Sequence, residues 1–175
     1  LSSSQSSTVS PSTTSTIDVT TLNAALSSGN AVTINTNNGT GTPTSGTITV
    51  SGAISKTGGG NSTLTLTATN NIEVNQPIGS GHSQLNVNLN AIGGTINSTP
   101  SGTISTNGGL LTLNAGSGSG TLAGVISGGM SSTASGAGGV TKQGAGTVTL
   151  SGANTYTGPT SVTAGKLLAG VSSTY

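Results

Sequence analysis

Few side chains in this 175-residue chain could do chemistry. The carboxylates are Asp18 and Glu73, the one histidine is His82, the cations are Lys56, Lys142 and Lys166, and cysteine is absent. Paired carboxylates would serve glycoside hydrolysis. Clustered acids with Ca²⁺ or a lysine base would serve elimination on a polysaccharide. Asp18 and Glu73 are far apart in sequence. Asp18 precedes a short helical pattern and reads as its cap. Glu73 alternates with Ile72 and Val74 and should point outward. His82 lies in the turn-like Gly79-Ser-Gly-His-Ser, and one histidine cannot build a multi-histidine metal site. Serine is abundant, but no nucleophile-elbow motif surrounds any of it. Gly144-Ala-Gly146 lacks the Lys-Ser/Thr of a phosphate loop and opens no helix, so it reads as turn glycines. Lys56 and Lys142, each in a Lys-x-Gly setting, read as outward solubilising charges. Sequons begin at Asn38, Asn61 and Asn97 and read as surface loops. The expectation is a non-enzyme: no catalytic, cofactor-binding or metal-ligating residue, and no cofactor.

Composition narrows the scaffold. Charged residues make up 3% of the chain, against roughly 25% in ordinary globular proteins. There is no Phe or Trp, and there are two Tyr. Such a chain cannot close a compact aromatic core. Serine and glycine abundance suggests disorder, but aliphatics recur in short alternating runs that a linker does not need. A solenoid reconciles the two, burying a thin aliphatic column under polar outer faces. The net charge of +1 gives no reason to expect nucleic acid or anionic lipid as a partner. No run of 18 apolar residues offers a bilayer span. No signal peptide is recognisable.

In chain order, residues 1–16 are Ser/Thr-rich and read as a flexible tail or linker. Residues 17–29 form the one helix candidate, with Leu22, Ala25 and Leu26 at helical spacing. It should cap the first coil. Strand-like runs follow at Val32-Thr-Ile34, Thr47-Ile-Thr-Val50, Leu64-Thr-Leu66, Ile72-Glu-Val74, Leu85-Asn-Val-Asn-Leu89, Leu110-Leu-Thr-Leu113 and Thr147-Val-Thr-Leu150. The step from Leu66 to Leu89 to Leu113 sets a coil of about two dozen residues, a solenoid repeat length. About five to six coils would make a rod roughly 25–30 Å long. Residues 129–138 read as a loop excursion within a single solenoid domain spanning 17–175. Asparagines at turns, Asn70-Asn71 and Asn154, are expected to stack as ladders.

The segment from Gly139 to Gly170 carries Gly-Val-Thr-Lys-Gln-Gly-Ala-Gly-Thr-Val-Thr-Leu-Ser-Gly-Ala-Asn-Thr-Tyr-Thr-Gly at its start. It resembles the passenger-associated transport repeat of bacterial autotransporters. Gly139, Lys142, Gly144, Gly146, Leu150, Gly152, Asn154, Tyr156, Gly158, Val162, Gly165 and Leu167 fit that pattern. A second resemblance, over residues 17–115, is to exoproteins of the filamentous haemagglutinin type. Its wording includes Ala53-Ile-Ser-Lys-Thr-Gly-Gly and Asn71-Ile-x-Val. These resemblances imply an all-β fold, a single-stranded right-handed parallel β-helix, in a protein exported to the extracellular space or the bacterial cell surface. They imply a stalk or adhesin passenger acting in adhesion or extracellular structure.

A self-assembling fibre or sheath subunit is the alternative, since the C-terminal end shows no cap. Partners would be other copies or further coils stacked end to end, with a host, neighbour-cell or matrix surface as the ligand of the stalk. A third reading is ice binding. Thr47/Thr49, Thr63/Thr65/Thr67 and Thr147/Thr149 set hydroxyls on one face, although the coil around Leu85–Leu89 carries Asn instead.

Overall fold

Alternating aliphatic and polar residues in runs of three to seven make strands with one buried face. Each run is too short to persist alone, and Gly, Asn and Ser between runs supply the turns. The computed structural model describes residues 18–36, 46–128 and 138–170. In that span one helix, α1 (Val19–Ser27), precedes sixteen strands. They are β1 (Val32–Asn35), β2 (Ile48–Val50), β3 (Ile54–Lys56), β4 (Ser62–Ala68), β5 (Ile72–Val74), β6 (Ile78–Ser80), β7 (Leu85–Ala91) and β8 (Ile96–Ser98). The rest are β9 (Ile104–Ser105), β10 (Leu111–Ala115), β11 (Ser119–Leu122), β12 (Ile126–Ser127), β13 (Val140–Gln143), β14 (Thr147–Leu150), β15 (Thr160–Val162) and β16 (Lys166–Ala169).

The strands form three parallel sheets, ordered β1-β4-β7-β10-β13-β15, β2-β5-β8-β11-β14-β16 and β3-β6-β9-β12. Up to β14 every third strand therefore joins the same sheet, as a β-solenoid requires. The register is the one the leucine spacing implied: Leu66 pairs with Leu89, and Leu89 with Leu113. Four turns carry all three strands, while the last two carry strands only in the first two sheets. The expected five to six coils thus resolve into four complete turns and two partial ones. The difference arises at Ser151–Pro159, where the third side is irregular: Ile126 N–H donates to the Asn154 side chain at 2.8 Å and Thr155 N–H to Ile126 O at 2.9 Å. The expected tail at 1–16 lies outside the described residues, as does nearly all of the 129–138 excursion.

The core is a set of vertical columns. Ile34, Leu66, Leu89 and Leu113 stack in the first sheet, Val148 and Leu167 in the second, and Ile54, Ile78, Ile104 and Ile126 in the third. Most of these are fully buried. Each buried Val, Leu or Ile contributes roughly 1.5–3 kcal/mol, so a narrow column suffices when it is continuous.

Helix α1 covers the first turn. Asp18 is its N-cap, accepting from Thr20 N–H at 3.0 Å and Thr21 N–H at 3.3 Å. Leu22 and Leu26 face the core at 5% and 0% exposure. The polar side of the helix completes the open edge of β3. Asn23 Oδ1 accepts from Ser55 N–H at 2.9 Å, Asn23 Nδ2 donates to Ala53 O at 3.4 Å, and Ser27 Oγ accepts from Thr57 N–H at 3.0 Å. An unpaired sheet edge invites other strands, and here helix side chains occupy it.

The Thr20 N–H and the Thr21 hydroxyl hold the Asp18 carboxyl below its ordinary 3.8. A carboxylate whose folded pKa is depressed adds stability above its unfolded pKa and loses it as pH falls through the folded value. Asp18→Ala should therefore lower the thermal midpoint at neutral pH, and the gap from the unaltered protein should close well below pH 3.8. Paired thermal melts at the two pH values check it.

Candidate functional site

The candidate residues are dispersed. Asp18 is committed to the helix cap. Glu73 lies on the outer face of β5, where it accepts from Asn97 Nδ2 at 2.9 Å. His82 is exposed in its turn, with Nδ1 3.0 Å from Ser83 Oγ. Among the described residues no group of three or more His, Cys, Asp or Glu could hold a metal ion. No helix among them is long and apolar enough to cross a membrane.

Two lysines depart from expectation. Lys56 and Lys142 do not project outward; both are 0% exposed. Lys142 occupies the inward rank of the first sheet, between Leu113 and Val162. Its amine donates to Gln143 O, to Gly144 O at 2.8 Å and to Ala164 O at 3.5 Å. Lys56 donates to Gly58 O. In both, the Lys-x-Gly spacing lets the amine fold back onto the carbonyl two residues ahead. Burial pushes both amines below their ordinary 10.5. Strand parity carried the signal: Lys142 follows Val140 by two, as Lys56 follows Ile54.

The sequons are also structural. Asn61 exchanges hydrogen bonds with Gln84, at 3.3 Å from Nδ2 and 3.2 Å to Oδ1. Asn97 opens out of a strand rather than a loop, and its Oδ1 accepts from Thr121 N–H at 3.1 Å. Asn38 lies outside the described residues. Gly144 takes φ 73 at a turn, as its reading required.

The outer face of the first sheet is uncharged on all six strands and rich in hydroxyl and amide groups. One rank runs Thr33, Thr65, Asn88, Thr112, Thr141, Ser161. Asn88 interrupts the threonines and donates to Thr65 Oγ1 at 3.2 Å. The asparagine ladder lies here, not at the turns: Asn114 Nδ2 donates to Asn90 Oδ1 at 2.9 Å. Asn71 and Asn154 instead accept from backbone N–H groups of the neighbouring coil, those of Thr95 and Ile126.

Among the described residues the last turn is the most exposed. All of β15 is exposed, and Val162 and Leu168 are each 49% exposed. Residues 140–175, which include these coils, match the family passenger-associated-transport-repeat. No curated protein and no solved structure matches the chain. The match does not reach residues 17–115, where the haemagglutinin-type resemblance has no counterpart. A parallel β-solenoid ending in this repeat has the character of an autotransporter passenger. That repeat implies an exported or cell-surface protein.

Proposed function

We propose that this segment is a non-catalytic stalk or adhesin passenger, a rigid spacer that holds loops away from the cell surface. The observation that carries the reading is the asymmetry of the stack. One end is closed by α1, whose Leu22 and Leu26 join the core and whose Asn23 and Ser27 occupy the β3 edge. At the other end of the described residues, β15 and β16 are paired on one side only and Val162 and Leu168 are half-exposed, a surface suited to further coils. The scattered carboxylates, each with a structural partner, fit a mechanical role.

The exposed last turn also favours a second reading, a fibre subunit stacking copy on copy. Head-to-tail stacking requires both ends open, and α1 lies across the first turn. The stalk reading is therefore preferred. Electron microscopy with size-exclusion chromatography separates them: a monodisperse monomer is expected, and micrometre filaments would overturn it. The ice-binding reading loses its regular ranks at Asn88 and Glu73.

A further inference from the structure

The corner where the third sheet turns into the first gathers buried polar side chains. Lys56, Ser62, Ser80, Thr106 and Asn107 are 0%, 5%, 8%, 2% and 1% exposed. Parallel register sets Lys56 beside Ser80. Ser105 pairs with Gly79, so Thr106 takes the next place in the same column. Ser62 opens β4 on the far side of the turn that follows Lys56. Asn107 reaches back one coil, donating from Nδ2 to His82 O. Its φ of 48° is the one positive value at a non-glycine among the described residues.

The hydrogen bonds at this corner do not balance within the protein. An ammonium has three donors, and the protein acceptor for Lys56 is Gly58 O. Asn107 Oδ1 and Ser62 Oγ are buried without a partner. Leaving such groups unmade costs more than an ordinary hydrogen bond gains. An anion would suit Lys56 but meet the lone pairs of Asn107 Oδ1. A cation would suit Asn107 but meet Lys56. A neutral molecule that both accepts and donates suits all three, and polar interior sites of this kind hold water.

We propose that this corner is a buried solvent site, in which at least one ordered water accepts from Lys56 and donates to Asn107 Oδ1 or Ser62 Oγ. The turn it supports is the one that receives the helix. Gly59 passes so close to α1 that a Cβ there would lie 2.3 Å from Ser27 O. A water there would tie the turn beneath the helix to the second coil through Ser62 or to the third through Asn107.

A high-resolution crystal structure of the chain, with a bromide soak, and denaturation of Ser62→Ala test the site. The expected result is a solvent peak within hydrogen-bond distance of Lys56 Nζ and of one of the other two atoms. Ser62→Ala should then unfold at lower denaturant concentration, because the water loses a ligand. A corner with no peak would overturn the proposal. So would a rise in midpoint for Ser62→Ala, the outcome when an unpaired hydroxyl is simply removed. An anomalous bromide peak would also overturn it, marking an anion site instead.

Discussion

Gly116→Ala is expected to unseat the solenoid at its middle. Gly116 follows β10 at the corner between the first two sheets, where its N–H donates to Ala91 O at 2.8 Å. A Cβ there would lie 1.7 Å from Ile92 O and 2.5 Å from Ile92 C. Both are backbone atoms of the coil below, so no rotamer change relieves the clash. Relief requires the two coils to separate, and rungs about 4.8 Å apart cannot separate locally without losing ladder hydrogen bonds. Overpacking typically costs about 1–3 kcal/mol. Here the loss should reach or exceed the top of that range, because the obstruction is main chain. Gly81→Ala is the control, since a Cβ there meets nothing within 4 Å. It should shift stability by no more than about 0.5 kcal/mol, as surface changes do. Urea denaturation of the two variants decides the matter; equal midpoints would contradict the close-packed corner.

That contrast shows where the sequence was readable. Glycine announces a turn, but Gly116 and Gly81 look alike in a string, and only the neighbouring coil distinguishes them. The long alternating runs were legible, because Ser62–Ala68 and Leu85–Ala91 each place four consecutive inward residues on one face. Coil length followed from them, since identical columns must superpose. The strand Ser119–Leu122 was less legible: its inward positions are Gly120, paired with Val148, and Leu122. A single aliphatic, Leu122, marks it, and a Cβ at Gly120 would lie 2.2 Å from Ile96 O. The helix cap was local and therefore readable in Asp18. The asparagine ladder was misplaced to the turns, because asparagine prefers turns in general. In this chain the outer strand face is flat and uncharged enough for Asn90 and Asn114 to stack.

The lysines failed for a related reason, and Lys142 yields the second large effect. Long cations are almost never fully buried unless paired, so composition argued against what strand parity implied. Lys142→Ala is expected to loosen the last two turns. It removes a buried side chain from the column between Leu113 and Val162, and takes the amine from Gln143 O, Gly144 O and Ala164 O. Truncating a large buried side chain costs about 2–5 kcal/mol, and buried groups left without their hydrogen bonds add about 1–3 kcal/mol. A loss of at least ~3 kcal/mol follows from those terms. Lys142→Met keeps the length and fills the column, so its loss should be smaller and confined to the missing bonds. Hydrogen exchange should rise at Thr160–Ala169 in the alanine variant, because Ala164 is the group of the last turn that the amine holds. The pH response separates the amine from mere packing. Burial lowers the Lys142 pKa below 10.5, so between its folded value and 10.5 the unfolded chain binds more protons. Stability must then rise with pH across that window. Lys56 shares the shift and the sign. Denaturation midpoints measured from neutral pH up to 10.5 should climb in the unaltered protein and climb less in Lys142→Met. An identical slope in both would mean that the Lys142 amine is solvated and its place in the column is wrong.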